Sequence, residues 1–212
     1  MIQLQNISFR YSSDSDSFQF PDWSIPSSEH AVLLGASGSG KTTLLHLLAG
    51  LLRPTNGQII IGDQDITQLK SNALDRFRGR KLGLVFQQPH LLASLTLEQN
   101  LLLAQYLAGL KQDRKVIRET LDSLSLKHRA KARVTTLSQG EAQRAAIARA
   151  VLNNPTVILA DEPTSSLDDE NCNRVLELLQ NQARQHQATL LIVTHDQRVK
   201  EHIPHQLTLA KA

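Results

Sequence analysis

The chain has 212 residues and a mass of 23.5 kDa, enough for one large domain or two closely joined subdomains, and a folded chain of this size buries roughly 70% of its surface. Hydrophobic residues at 41% and charged residues at 20% exclude a wholly disordered or collagen-like chain, and a net charge of +3 is too mild to point to nucleic acid by itself. A single cysteine, Cys172, excludes an internal disulfide, the N-terminus lacks the basic and apolar regions of an export signal, and no apolar run approaches the roughly 18 residues of a membrane span, so a cytosolic chain without direct membrane insertion is expected.

Ile2, Leu4, Ile7 and Phe9 alternate with polar partners apart from one slip, and Phe18-Gln-Phe20 resumes the pattern after the Ser/Asp-rich run 12–17. This predicts a hairpin with a solvated tip. Ala31 to Leu34, Leu82 to Phe86, Val157 to Ala160 and Thr189 to Val193 have the continuous apolar composition of buried parallel strands. Helical stretches separate them. Thr42 to Leu52 is apolar nearly all round and meets Arg53-Pro-Thr-Asn-Gly57, which predicts a buried helix closed by a turn. Arg76, Arg78, Arg80 and Lys81 read as a solvated helix face, and residues 100 to 133 carry amphipathic helical runs without a strand signal. Alternating strands and helices predict an α/β layered fold.

Gly35-Ala-Ser-Gly-Ser-Gly40-Lys41-Thr42-Thr43 follows directly on an apolar strand and opens a helix, the context that a G-x-x-x-x-G-K-[S/T] phosphate loop requires. The pattern arises by chance in on the order of one in a hundred chains of this length, before that context is demanded. Glycines let backbone amides turn inward around a triphosphate, and the helix N-terminus adds its positive dipole end. Lys41 is then the group that reaches the β and γ phosphates, and the Thr42 hydroxyl is a magnesium ligand.

Val157-Ile-Leu-Ala160 runs into Asp161-Glu162-Pro163, which delivers two carboxylates to the C-terminal end of a strand, where open α/β sheets place their ligands. Alternation points the two in different directions, so Asp161 suits magnesium and Glu162 suits the water that attacks the γ phosphate. Leu137-Ser-Gln-Gly-Glu141 opens a run of strong helix formers, with Ser138 and Glu141 spaced as a capping box.

Taken in order, the phosphate loop, Leu-Ser-x-Gly-Glu, the strand with Asp-Glu-Pro, Ser166-Leu-Asp168 and Thr194-His195-Asp196 resemble the motif set of ABC-transporter ATP-binding subunits, which here runs from Tyr11 to His195. The resemblance implies a P-loop NTPase parallel sheet core with an antiparallel β subdomain at about 1–30, a catalytic core at about 31–87 and 152–212, and a helical subdomain at about 88–151. It implies ATP and Mg2+ as cofactors and a nucleotide site built from Tyr11, Gly35, Ser37, Gly38, Ser39, Gly40, Lys41, Thr42 and Thr43, with Thr42, Gln87 and Asp161 at the metal. Tyr11 would stack on adenine or else pack the strand end; Gln87 rather than Gln88 is chosen from its motif position. Glu162, His195, Lys41 and Gln87 become the catalytic set, with His195 on the γ phosphate.

In that family the Leu-Ser-x-Gly element of one subunit closes over the phosphate loop of another, so Ser138 and Gly140 are implied to act across a head-to-tail dimer with a second copy. Asp168 is implied to contact the dimer interface, a role compatible with simply capping the following helix. The sequence departs from the usual Leu-Ser-Gly-Gly-Gln at Gln139 and Glu141, which bears on affinity across the interface, and Ser28-Glu29-His30 replaces a Gly-Glu turn. An integral membrane permease-type subunit is the implied second partner, docking between Gln88 and about Leu110, with Leu91, Leu92, Leu95 and Leu97 as apolar material, or else packing the subdomain. This places the chain on the cytoplasmic face of a membrane; no nucleic acid is expected.

The stretches Leu44 to Leu52, Phe77 to Leu92 and Leu95 to Glu98 look most like the lipoprotein-release and macrolide-export branch, and no added regulatory domain is expected after His195. Two other readings are compatible with the motifs: a soluble ABC ATPase of DNA repair or translation, and a weakly hydrolysing ATP-gated regulatory dimer.

Overall fold

The computed structural model describes residues 1–12, 17–165 and 167–210. Most of the expected tip of the first hairpin, and Ser166 of the segment before Asp168, therefore lie outside the described residues. Strand β1 (Ile2–Phe9) pairs antiparallel with β2 (Phe18–Gln19) and β3 (Trp23–Ile25) along one edge and with β5 (Asn56–Ile61) on the other, and β6 (Gln64–Asp65) extends that side. The slip in the apolar alternation of β1 is a register shift between Gln5 and Ser8 around Asn6, whose φ is 52°. An extra residue there lets Ile2, Leu4, Ile7 and Phe9 all face the core.

The second sheet is wholly parallel, in the order β10 (His205–Leu209), β4 (His30–Gly35), β9 (Thr189–Val193), β8 (Val157–Asp161), β7 (Leu82–Val85). Strands β4, β9, β8 and β7 are buried on both faces over most of their length, which is why they read as unbroken apolar runs. Ala31, Leu33, Leu159, Leu191 and Val193 face α1 (Lys41–Leu48) and the antiparallel sheet, so α1 lies between two sheets. Val32, Leu34, Ile158, Ala160, Leu190 and Ile192 face the opposite layer, which contains α3 (Leu97–Leu107), α4 (Arg114–Ser123), α5 (Gln139–Val151) and α6 (Asp169–Gln185). The arrangement of parallel core, antiparallel sheet and helices is the one expected from the sequence.

Several boundaries differ from the sequence expectation. The antiparallel sheet is not confined to about 1–30, because β5 and β6 come from the stretch assigned to the core. Pairing between residues some fifty positions apart leaves no local trace in β5 except Ile59 to Ile61. The strand β10 was not foreseen, since an edge strand written His-Gln-Leu-Thr-Leu is half polar. The helix expected to reach Leu52 stops at Ala49, where Gly50 takes φ 64° and the amides of Gly50 and Leu51 return to the carbonyls of Leu47 and His46. This is a Schellman stop, and it turns the chain before the proline. In α2 (Ser71–Lys81) the basic run is only partly solvated: Arg78 donates to the Gly50 carbonyl, and Arg80 to those of Ala108 and Gly109, which fastens α2 to α1 and α3. Among the described residues no helix is long and apolar enough to cross a membrane.

Helix α5 lies so close to β7 that a Cβ added at Gly83 would be 2.5 Å from the Ala150 carbonyl oxygen. Gly83→Ala therefore forces strand and helix apart and is expected to destabilise the fold by roughly 1–3 kcal/mol. Urea denaturation checks this as a lower midpoint at unchanged slope.

Candidate active site

The parallel register decides which side chains meet. Leu33 and Asp161 both pair with Val193, so β4, β9 and β8 end side by side. Two hydrogen bonds continue the ladder past the strands: the Glu162 amide donates to the Val193 carbonyl at 2.8 Å, and the Thr194 amide to the Leu33 carbonyl at 3.0 Å. The segments 36–40, 161–162 and 194–195 therefore emerge at one edge, as expected at the carboxyl ends of parallel strands.

Beyond Gly35 the chain makes a tight loop in which Gly38 and Gly40 adopt φ of 81° and 88°, a conformation that side chains resist. A Cβ at Gly40 would also meet the Phe18 ring at 2.8 Å. Lys41 is buried, and its Nζ folds back to donate to the carbonyls of Gly35 at 2.8 Å and Ala36 at 3.0 Å. The ammonium is thus fixed beneath the loop. A cleft of about 700 Å³ opens over it, lined by Phe18, 36–38 and 40–43 of the loop and first helical turn, Gln87, Glu162 and His195.

The two carboxylates have different surroundings. Asp161 Oδ1 is buried without a hydrogen-bond partner, and burial, followed by the charge of Glu162, raises its pKa above the ordinary carboxylate value. Lys41 and His46 act in the opposite direction but do not cancel this. Glu162 turns back at φ 46°, its Oε2 accepting from the Thr194 hydroxyl at 2.8 Å and its Oε1 lying 2.7 Å from His195 Nδ1. Both of its oxygens are therefore occupied by neighbours.

Of the residues expected at the site, Ser37, Gly38, Gly40, Lys41, Thr42, Thr43, Gln87, Glu162 and His195 line the one cleft. Gly35 ends β4 beneath it. Ser39 turns the other way: its hydroxyl is buried without a partner, over Gly35 and towards a smaller pocket walled by Thr208 and Leu209. Tyr11 is not in the cleft lining; it is 59% exposed, its hydroxyl is 2.9 Å from Thr43 Oγ1, and its ring meets Phe9 and Phe18 edge-on. Packing, left open beside stacking, is what these contacts describe. Phe18 is the aromatic that lines the cleft, and the sequence reading gave it only a place in a strand.

Ser138, Gly140 and Asp168 do not line this cleft. Ser138 caps α5 in a reciprocal box, its hydroxyl accepting from the Glu141 amide at 3.2 Å while Glu141 Oε2 accepts from the Ser138 amide at 2.8 Å. That second bond, more than the neighbouring Arg129 and His128, holds the Glu141 carboxyl below its usual pKa. Arg129 Nε lies 3.1 Å from the other oxygen of Glu141. Asp168 caps α6 by accepting from the Asn171 amide at 2.8 Å and the Asn171 side chain at 2.9 Å, and these bonds lower its pKa.

Asp161 does not line the cleft, but its orphaned oxygen, beside the charge of Lys41, and the Thr42 hydroxyl in the lining are hard oxygen donors, the chemistry that fits a magnesium ion bound with phosphate oxygens. The family model described as ABC transporter matches residues 19–165. Among solved structures, the dimeric bacterial ABC transporter cassette MJ0796 is 32% identical, covers 100% of this chain and 95% of its own, and superposes with a TM-score of 0.87. The same cassette as a dimer in a post-hydrolysis state with ADP and Pi is 31% identical over 99% of this chain and 94% of its own, with a TM-score of 0.86. The cbiO1 protein of Clostridium perfringens, part of the ABC transporter complex cbiONQ, is 26% identical over 98% of this chain and 84% of its own, with a TM-score of 0.87.

The raised pKa of Asp161 carries a sign for stability. Its folded-state carboxyl holds a proton to higher pH than its unfolded counterpart, so ionisation above the unfolded pKa works against the fold. Asp161→Asn removes that charge and is expected to stabilise the nucleotide-free protein at neutral pH by about 1 kcal/mol, roughly 2–4 °C of Tm. The gain should vanish when calorimetry is repeated below about pH 4, where both states are protonated.

Proposed function

This chain belongs to the ABC transporter family, and from that premise we propose that it is a magnesium-dependent ATPase subunit that works as a head-to-tail dimer on a separate membrane protein. The observation that carries the reading is the shared cleft, where a phosphate loop with a buried lysine faces Gln87, Glu162 and His195. The loop amides and the start of α1 receive the phosphates, and Lys41 exchanges its two carbonyl partners for the β and γ phosphate oxygens. Thr42, Asp161 and Gln87 would hold magnesium, and the ion would neutralise charge on the phosphates.

Glu162 takes the proton of the attacking water, and His195 donates to a γ phosphate oxygen. In the structure these two side chains hold each other, so His195 must turn from Glu162 to the phosphate before the carboxylate is free to act. A triphosphate thereby creates its own base. Phe18 and Tyr11 form the aromatic wall beside Gly40 and Thr43, which suits the adenine end.

Ser138, Gly140 and Asp168 do not line the cleft of their own chain, and we assign them to the site of a second copy, as the dimeric cassette with which the chain aligns supports. Glu141 does not oppose this with a free charge, because its carboxylate is bonded to its own cap and to Arg129. For the membrane subunit the structure offers a groove of about 570 Å³ lined by Leu82, Leu84, Phe86, Leu107, Arg78 and Arg149. This replaces the docking material expected from the sequence. Leu97 is fully buried, Leu91 packs on the core, and neither Leu92 nor Leu95 lines the groove.

That cbiO1 is part of a transporter complex supports a membrane partner, and a peripheral position on the inner face of a membrane goes with that reading. The lipoprotein-release or macrolide-export branch is proposed on the stretches Leu44 to Leu52 and Phe77 to Leu92.

Glu162→Gln is expected to bind ATP normally, to hydrolyse it about a hundredfold to ten-thousandfold more slowly, and to remain dimeric in ATP. Single-turnover phosphate release and light scattering check this. Wild-type hydrolysis would remove Glu162 as base, and a monomer at saturating ATP would remove the dimer.

A further inference from the structure

Arg198 lies outside every motif noted in the sequence, on a short helix, α7 (Gln197–Lys200), yet it has five side-chain hydrogen bonds to three residues. Nε and Nη2 grip Asp196, at 2.9 Å to Oδ1 and 2.7 Å to Oδ2, with a second Nε contact of 3.1 Å. Nη1 turns towards the start of α6, donating to the Leu167 carbonyl at 3.2 Å and to Asp169 Oδ1 at 2.7 Å. One guanidinium thus holds both neighbours of Asp168 and the residue that follows His195.

The chain of bonds continues inward. The Asp196 amide donates to the Thr194 hydroxyl at 3.0 Å, and that hydroxyl donates to Glu162 Oε2 at 2.8 Å. A second arm runs from Asp196 Oδ2, which accepts from the fully buried Thr164 hydroxyl at 3.0 Å, two residues beyond Glu162. Every donor is matched to an acceptor, and the Thr194 hydroxyl, accepting on one side and donating on the other, has a defined direction. Arg198 is the dominant influence that holds the Asp196 carboxyl at a pKa of about 2, so this pair stays ionised through the working range of pH.

We propose that Arg198 is a positioning residue that ties the segment carrying Asp168 to the Thr194–His195 turn, so that the setting of the Glu162 carboxylate depends on where that segment lies. The proposal rests on the reading of Glu162 as the base and of Asp168 as facing a second copy. On that reading a partner that moves residues 167–169 displaces Arg198, and through Asp196 and Thr194 it changes the clasp on Glu162. A surface ion pair would not do this. Its exposed arm to Asp169 is weak by itself, whereas the three-residue grip on one planar group transmits displacement because a guanidinium cannot bend.

The test is single-turnover ATP hydrolysis by the full chain at protein concentrations that saturate dimerisation, for Arg198→Ala, Arg198→Lys, Asp169→Ala, Glu162→Gln and the Arg198→Ala/Glu162→Gln double variant. Arg198→Ala is expected to lower the maximal rate about tenfold while the half-saturating ATP concentration moves less than about threefold, because the phosphate loop is untouched. Arg198→Lys should recover part of the rate, keeping the charge on Asp196 but not the fork. In the Glu162→Gln background the arginine substitution should cost nothing further, a non-additivity that a merely structural arginine would not produce. Asp169→Ala removes only an exposed carboxylate and should slow the maximal rate about threefold, which carries the test if Arg198→Ala fails to fold. An unchanged maximal rate in Arg198→Ala or Asp169→Ala, or an equal loss in both backgrounds, overturns the proposal; a fully active Glu162→Gln would instead overturn the assignment of the base.

Discussion

The chemistry of this molecule depends on one constraint, the in-register parallel pairing of β4, β9 and β8. A one-residue slip of any of the three would turn that strand's side chains to the opposite faces of the sheet, and a slip of β8 would carry Asp161 and Glu162 one place out of line with Val193 and Thr194. The register is secured from both sides, since alternate residues along these strands enter two different cores: Leu33, Leu159 and Leu191 below α1, and Val32, Ile158 and Ile192 against the helical layer. With both faces apolar and fully buried, no slipped pairing keeps the large side chains in place. The amides of Glu162 and Thr194 then carry the ladder one step beyond the strands, which is what brings a carboxylate from one strand and a hydroxyl from the next to hydrogen-bonding distance.

That constraint also explains what could and could not be read from the chain. The phosphate loop, the carboxylate pair and His195 each carry a local signature, because their chemistry demands particular residue types immediately after an apolar strand. Strands β4, β9, β8 and the edge strand β7 were legible for the same reason: burial on both faces leaves an unbroken apolar run. The edge strand β10 and the distant partner β5 were not, as edges tolerate polar residues and antiparallel pairing across the length of α1 leaves no periodic trace. Phe18 reached the cleft wall through contact with Gly40, which no spacing rule encodes. Arg198 was invisible on the same grounds: its partners Leu167 and Asp169 are about thirty positions away, and their meeting depends on how α6 and α7 pack.

The two substitutions that set the Leu-Ser-x-Gly element apart have unequal physical weight. Glu141 looks adverse as a negative charge beside a proposed phosphate contact, but its oxygens are bonded to the Ser138 amide and to Arg129. A carboxylate in the first turn also favours the helix dipole, so it firms the cap that presents Ser138. Gln139 has no such compensation in its hydrogen bonds, and its cost is a side chain where a glycine would let backbones approach closely. On the proposed contact between copies, the size of residue 139 therefore weighs more than the charge of residue 141.

Helix α5 connects these parts. Its N-terminus presents Ser138, its first turns place Gln143 so that the side-chain amide donates to the Pro163 carbonyl at 2.5 Å, and its last turn places Arg149 so that it donates to the His90 carbonyl at 2.6 Å. One rigid helix thus touches the proposed trans contact, the residue after the base and the segment beyond Gln87 that borders the groove. The guanidinium of Arg149 is buried enough that its pKa falls, so its single carbonyl partner is not easily surrendered to solvent. The Ala150 carbonyl lies so close to Gly83 that the last turn of the helix is held against β7, so β7, the Pro163 segment and the His90 segment all bear on one helix.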